Sequence, residues 1–281
     1  MRFVKYHGLG NDFIVLLDRA LIASADLARA LCARGFGIGA DGVMVAAPAR
    51  MAGADLAMDL VNSDGSLPEM CGNGIRCFVK YAVDRLGHRQ NPLRVETPAG
   101  LRACAWTADA DGRVATVTVE MGPARFDADE LVVDLGDRAF VGTSLNTGNP
   151  HYVVFGASQA AAADGPPLAA RELALRYGPR LEVHPAFPEK ANIEMADVAG
   201  PDHLRVTVWE RGCGLTWACG TGATATAAAA ARRGLAPTGR PVRVSLPGGD
   251  LAITIAPDFS ASWMEGPATE VFEGTWLGPV A

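Results

Sequence analysis

The sequence predicts an α+β protein of two pseudo-symmetric domains. Each is a mostly antiparallel sheet or barrel wrapped around a central helix, with the active site in the cleft between them. Three observations carry this expectation. A glycine-flanked cysteine occurs twice, at Met70-Cys71-Gly72-Asn73-Gly74 and at Ala218-Cys219-Gly220-Thr221-Gly222, each time between a strand-like or turn-like run and a helix-like run. The strand-like runs are too short and too antiparallel in character for a doubly wound parallel sheet. The helix-like run after the second cysteine is almost pure alanine and threonine, thin enough for strands to approach it closely on all sides.

In chain order, residues 2–6 and 13–17 read as strands joined by a Gly-Leu-Gly-Asn-Asp turn. Ser24 is placed to cap a helix over 25–34 that stops at Gly35. The glycine-rich loop at 36–42 lacks the lysine and hydroxyl of a phosphate-binding loop. Residues 55–61 read as a strand ending in the turn Asn62-Ser63-Asp64-Gly65. After Cys71, a helix carries Ile75, Phe78, Val79, Ala82, Val83 and Leu86 on one stripe and closes at Gly87. Strands are expected over 93–97, 101–107 and 113–120, and Gly122-Pro123 marks the domain boundary. The N-terminal domain is then 1–121 plus about 266–281, and the C-terminal domain 122–265. In the second half, strands are expected at 130–134, 139–141 and 152–155, a surface loop at 156–167 and a helix near 168–177. A strand over 204–209, a helix over 223–233 and strands at 242–246, 251–255 and 262–265 complete the chain.

Offsets within the chain support a duplication. The cysteines lie 148 positions apart (219 minus 71), and the same offset carries Asn62 onto Glu210. Gly8-Leu9-Gly10-Asn11 has a counterpart in Asn146-Thr147-Gly148-Asn149, at an offset of 138 (146 minus 8). Glycine turns before helices are common, so chance is the competing explanation, but two correlated offsets in the same order argue against it. A pseudo-twofold relation puts the two cysteines on opposite walls of one cleft.

With 281 residues, 49% hydrophobic and 20% charged, the chain has the composition of a soluble enzyme with two cores. A net charge of −6 and the absence of any Lys/Arg-rich stretch give no reason to expect nucleic acid or an anionic membrane as partner. Without an apolar leader or a long apolar run, a cytoplasmic protein is expected. The Cys71/Cys77 and Cys213/Cys219 pairs, each six positions apart, are wider than the usual zinc knuckle, so no metal is expected.

Each cysteine sits where a helix begins, and unpaired N–H groups there favour an anion, including a thiolate. Two such thiols suit the inversion of a carbon stereocentre, which needs one group to remove a proton from one face and another to deliver one to the opposite face. A single base would return the proton to the face it left. The anionic intermediate needs donors fixed in advance, each worth roughly 10²–10³ in rate, and the N–H groups at Gly72-Asn73 and Gly220-Thr221 can serve a carboxylate. Pyridoxal phosphate would need a Schiff-base lysine. Of the three lysines, Lys5 and Lys80 are expected in solvated or snorkelling roles, and Lys190 completes the set. A reaction without cofactor is expected.

The segments Gly8–Phe13, Asn62–Ser66, Glu69–Cys77, Gly148–His151, Trp209–Gly212 and Ala218–Gly222 together resemble the diaminopimelate epimerase family nearly end to end. The resemblance implies cofactor-free interconversion of LL- and meso-diaminopimelate, in lysine and peptidoglycan precursor synthesis, by a homodimer. By position it implies Cys71 and Cys219 as the acid–base pair, tuned by His151 and Glu210. Gly72, Asn73, Gly220 and Thr221 would bind the carboxylate at the reacting centre, and Asn11, Asn62, Asn149, Asn192 and Arg211 the rest of the substrate. Glu210 would also accept from the ammonium. The sequence departs from the family pattern at Gly42, where some members carry Gln, at Ser63, Leu67 and Pro68, and at Lys190-Ala191; Cys213 is an extra thiol. A racemase or epimerase for proline-like substrates shares the cysteines, but Asn73 and Glu210-Arg211 argue against it. A thiol redox or zinc-binding protein is the non-enzymatic alternative.

Overall fold

The computed structural model describes residues 1–18, 24–68, 71–156 and 168–278. The chain divides into two compact units, one formed by residues up to Glu120 and again from Glu265 onward, the other by Met121–Met264. Both units combine a mostly antiparallel sheet with two helices, so the architecture is α+β.

The first unit contains β1 (Arg2–Gly8), β2 (Asn11–Leu16), α1 (Ala25–Cys32), β3 (Gly42–Ala47), β4 (Leu56–Asn62), α2 (Gly72–Asp84), β5 (Leu93–Thr97), β6 (Gly100–Ala108) and β7 (Val114–Glu120). The second contains β8 (Arg125–Asp134), β9 (Ala139–Asn146), β10 (Pro150–Phe155), α3 (Ala170–Glu182), β11 (Asn192–Gly200), β12 (His203–Glu210), β13 (Gly214–Leu215), α4 (Gly220–Arg232), β14 (Val242–Leu246) and β15 (Gly249–Ile255). Strand β16 (Ser262–Pro267) carries the chain back to the first unit, where β17 (Thr269–Thr275) pairs with β1.

The duplication extends to strand pairing. In the first unit the ladder β17–β1–β2 is antiparallel, β2–β3 parallel, β3–β4 antiparallel, β4–β5 parallel and β5–β6 antiparallel. In the second unit β8–β9–β10, β10–β11, β11–β12, β12–β14 and β14–β15 repeat the same order of senses. Each repeat therefore contains two parallel pairs that short strands alone do not announce.

One helix is central in each repeat. All of Gly72–Val83 in α2 is buried, as is all of Gly220–Ala230 in α4. The single apolar stripe expected for the first helix is thus too narrow: Arg76 and Lys80 on its other faces are also enclosed. Lys80 is not solvated but pairs with Asp84 at 3.0 Å and donates to the Val114 carbonyl at 2.6 Å. Lys5, likewise buried, pairs with Asp12 at 2.7 Å and donates to the Gly39 carbonyl. In α4 the hydroxyls of Thr224 and Thr226 donate to the carbonyls of Gly220 and Gly222, so the helix satisfies its own polar side chains while alanines keep it thin. Helix α4 packs against β9, β10, β11, β12, β14 and β15.

The outer helices follow the expected plan with shifted ends. Ser24 caps α1 by accepting from the Leu27 N–H, but the helix stops two residues short of the expected end, at Cys32. Helix α3 runs past 177 through Pro179 to Glu182. Proline normally ends a helix; here Leu173, Tyr177 and Leu181 are buried in the core of the second unit and hold the last turn in place. Strands β3, β11, β13 and β17 have no counterpart in the reading of the sequence. β3 is a continuous apolar run without alternation, β11 carries Asn192, Glu194 and Asp197 among its apolar residues, β13 is two residues long, and β17 is polar and largely exposed. Of the surface loop expected at 156–167, residues 157–167 lie outside the described residues, as do Glu69, Met70 and 279–281. No helix among the described residues is long and apolar enough to cross a membrane.

Gly178 lets α3 lie directly on the Trp209 ring of β12, since a Cβ there would sit 2.6 Å from a ring carbon. The indole N–H is in turn held by Glu182 at 2.8 Å. Replacing Gly178 by Ala is expected to destabilise the second unit by about 1–3 kcal/mol through overpacking; an unchanged urea midpoint would contradict this packing.

Candidate active site

The two cysteines are the N-caps of the two central helices. Cys71 has extended backbone angles (φ −133°, ψ 96°), and its Sγ accepts from the Gly74 N–H at 3.3 Å. Cys219 repeats this with φ −124°, ψ 113° and the Gly222 N–H at 3.3 Å. Sulfur thus takes the place usually held by Ser, Thr, Asp or Asn. Gly74 and Gly222 permit the contact: a Cβ at Gly74 would lie 3.1 Å from the Cys71 sulfur, and one at Gly222 would lie 2.8 Å from Glu194 Oε1. Gly72 and Asn73 open α2, and Gly220 and Thr221 open α4, at positions whose N–H groups have no acceptor within the helix.

Around Cys71 the surroundings are amides ordered by charges. Asn11 donates through Nδ2 to Asp41 at 2.6 Å, so its Oδ1 faces the Cys71 sulfur at 3.9 Å and accepts from Asn73 Nδ2 at 3.2 Å. The Asn73 carbonyl accepts from Arg76 at 3.1 Å, and Arg76 also donates to the Gly72 carbonyl at 3.2 Å. Burial pushes the Arg76 guanidinium below its usual range, while the neighbouring thiols Cys77 and Cys71 oppose that shift. Asp41 and Asp12 share Arg34, at 3.0 and 2.9 Å. The Asp12 carboxyl is depressed, because hydrogen bonds from Lys5 and Arg34 outweigh its partial burial. Asn62, at the end of β4, donates to Ser66 Oγ at 3.0 Å and is not drawn into this network by any of these bonds.

Around Cys219 the surroundings are acidic. Thr221 Oγ1 lies 3.4 Å from the sulfur, and Glu210, which accepts from Thr216, acts on the thiol as a neighbouring acid. Glu194 Oε1 meets His151 Nδ1 at 2.7 Å with both side chains fully buried, and His151 Nε2 meets Asn149 Oδ1 at 2.7 Å. Burial raises the carboxyls of Glu194 and Glu210. It also pushes the Cys219 thiol well above its ordinary range, reinforced by Glu210; the Thr221 hydroxyl and the Gly222 N–H pull the other way and do not overcome it. The helix N-terminus was expected to favour a thiolate. At Cys219, burial and the adjacent acids win.

Asn192 and Arg211 lie together at the end of this sheet. Asn192 pairs with His151 across β10 and β11, and the pairing of Ile193 with Trp209 brings Glu210 alongside it. The Asn192 amide joins two segments, donating to the Pro150 carbonyl at 2.9 Å and accepting from the Arg211 N–H at 2.9 Å. Arg211 donates from its guanidinium to the Glu189 carbonyl at 3.1 Å. In the first repeat the equivalent register pairs Gly42 with both Phe13 and Asn62, so Gly42 occupies the position of Asn192. The His151 ring nitrogens are taken up by Glu194 and Asn149.

Glu194, Asp41, Arg76 and Thr216 were not singled out by sequence. The signal for Glu194 was an acid inside an otherwise apolar stretch two residues after Asn192; for Arg76, a cation between apolar residues in the first helix. Cys77 is buried and Cys213 exposed, and all six cysteines are free thiols. No group of three or more His, Cys, Asp or Glu among the described residues is placed to hold a metal ion.

The raised Cys219 thiol has a measurable consequence. With Cys213 and Cys71 replaced by Ser, iodoacetamide alkylation of ligand-free protein is expected to climb about tenfold per pH unit through pH 8 to 9 without levelling, because the thiolate is the nucleophile. A plateau by about pH 8 would show that the helix N-terminus dominates after all.

The comparisons with known proteins agree with one another. The family profile described as diaminopimelate epimerase matches residues 3–127 and 143–271. Among curated relatives, the diaminopimelate epimerase of Desulforudis audaxviator is 44% identical over 99% of both chains, and that of Desulfitobacterium hafniense 43% identical over 99% of this chain and 98% of its own. Among solved structures, a probable proline racemase from Agrobacterium radiobacter K84 superposes with a TM-score of 0.74 at 17% identity, covering 99% of this chain and 93% of its own. A hydroxyproline epimerase from Agrobacterium vitis gives 0.72 at 19%, covering 98% and 90%. At that identity the racemase-type structures share the fold alone, whereas the curated relatives share the sequence throughout; the chain belongs to the diaminopimelate epimerase family of isomerases.

Proposed function

We propose that this protein interconverts LL- and meso-diaminopimelate, in the supply of lysine and peptidoglycan precursors, by moving a proton off one face of the α-carbon and onto the other without a cofactor. The observation that carries the proposal is the pair of thiols, each capping the central helix of an equivalent repeat. One thiolate removes the α-proton while the other thiol donates, and the roles exchange in the reverse direction. Donors from Gly72, Asn73, Gly220 and Thr221 stabilise the carboxylate as it takes up negative charge. Glu210 accepts from the substrate ammonium. That contact neutralises the acid which holds Cys219 protonated, so substrate binding itself favours ionisation of the thiol. Arg211 takes the distal carboxylate, with Asn11, Asn62, Asn149 and Asn192 around the rest of the chain. The same reading makes the protein a cytoplasmic homodimer.

Proton NMR of LL-diaminopimelate in deuterium oxide tests this directly. Reduced wild type is expected to form the meso isomer with deuterium at the inverted carbon, while Cys71→Ala and Cys219→Ala each lose at least about 10²-fold in epimerisation, the scale of general acid–base catalysis. Retention of activity by either variant would remove the two-thiol mechanism. Inert diaminopimelate with exchange on a proline-type substrate would overturn the substrate.

A further inference from the structure

The backbone that presents Asn192, Glu210 and Arg211 is gathered by one buried acid, Glu182, the last residue of α3. Its Oε2 accepts from the indole N–H of Trp209 at 2.8 Å, and its Oε1 from the backbone N–H of Gly212 at 3.0 Å. Trp209 immediately precedes Glu210 and Gly212 immediately follows Arg211, so the two oxygens hold both ends of the Glu210-Arg211 pair. The backbone carbonyl of Glu182 also accepts from the Ala191 N–H at 3.2 Å, next to Asn192. Asn192 closes the arrangement by accepting from the Arg211 N–H at 2.9 Å. Lys190 Nζ lies 3.9 Å from Oε1 and brings a positive charge to the carboxylate. The direction of these bonds does not depend on how a side chain is turned, because indole and backbone N–H groups only donate and a carboxylate accepts at both ends.

Helix α3 itself gives no reason for an acid there. The C-terminal end of a helix carries partial negative charge, which disfavours a carboxylate in the last turn, and enclosure strips its hydration. The donors that offset both effects lie outside the helix, on β12 and in the turn after it. Packing sets the reach: Tyr177 and Leu181 are buried in the core of the second unit, and Gly178 lets α3 lie on the Trp209 ring. We infer that Glu182 is a positioning residue for Arg211, fixing at Trp209 and Gly212 the backbone from which the guanidinium is offered to the distal carboxylate of the ligand. This rests on the reading of Arg211 as the partner of that carboxylate. A turn already fixed has less freedom to lose on binding, so the effect falls on affinity. Glutamine has the same shape but one acceptor, so it meets one of the two donors and turns its NH2 group toward the other.

Amide hydrogen exchange tests the tie with no substrate added. Gly212 is an exposed residue, yet its amide in wild type is expected to exchange at least about tenfold more slowly than that of an unstructured glycine. Glu182→Gln is expected to remove most of that protection while the amides of buried α4 keep theirs. An unprotected Gly212 amide in wild type, or protection that survives the substitution, overturns the inference whatever the enzyme does. Kinetics on diaminopimelate test the role. Glu182→Gln is expected to raise KM about tenfold, the worth of a hydrogen bond to a charged group, with kcat within about twofold, and to add nothing to the KM of Arg211→Ala. A fall mainly in kcat, a KM close to wild type, or effects that multiply with Arg211→Ala would show that Glu182 does not act through Arg211. If wild type fails to epimerise diaminopimelate, the functional reading falls, and the exchange of Gly212 alone decides whether Glu182 holds the turn. If Glu182→Gln fails to fold, Trp209→Phe takes its place: it removes one donor, keeps a ring under Gly178 and is expected to raise KM about threefold, and an unchanged KM there overturns the role.

Discussion

Burying a helix on every side is the constraint from which most of this structure follows. Strands close around α4 because its residues are small and its threonine hydroxyls turn back onto their own carbonyls, and around α2 by enclosing larger side chains such as Phe78 and Tyr81. Enclosure also carries the N-terminus of the helix, with its unpaired N–H groups, into the protein, where something must meet them. In both repeats a cysteine meets them. A serine or aspartate would cap as well; here the capping atom is sulfur in both repeats.

The two repeats match in topology and differ in field. Cys71 is set among amides whose directions are fixed by Arg76 at one end and Asp41 at the other. Cys219 is set beside Glu210 and close to Glu194, and its thiol is raised accordingly. The same contrast explains why the helix-dipole argument, sound for an exposed helix end, does not decide the state of Cys219. The dipole acts as about half a positive charge, whereas the thiolate must give up its hydration on burial and also face the negative charge of Glu210.

What the sequence made legible was local. The repeated Cys-Gly pair, the Ser24 cap and the Ala/Thr helix each announce themselves within a few residues, and the offset of 148 already joined Asn62 to Glu210. What it hid was set by distant partners. Lys5 and Lys80 look like surface residues until Asp12 and Asp84 are brought beside them. Glu194 is an isolated acid in an apolar stretch to which the sequence assigns no element, until His151 arrives from the neighbouring strand. Proline at 179 signals a helix end, and only the core packing of Leu181 shows why the helix continues.

The pairing of β1 with β17 joins residues near the two ends of the chain. The second unit is one uninterrupted stretch, whereas the first is missing a strand until Thr269–Thr275 has been made. During synthesis, this edge of β1, with Phe3, Val4 and Tyr6 that end up buried, has no partner until β17 has followed the whole second unit off the ribosome. An unpaired strand edge is a template for pairing with another chain. The order of translation therefore leaves the half bearing Cys71 exposed longest to misassembly, while the half bearing Cys219 can close as soon as it leaves the ribosome.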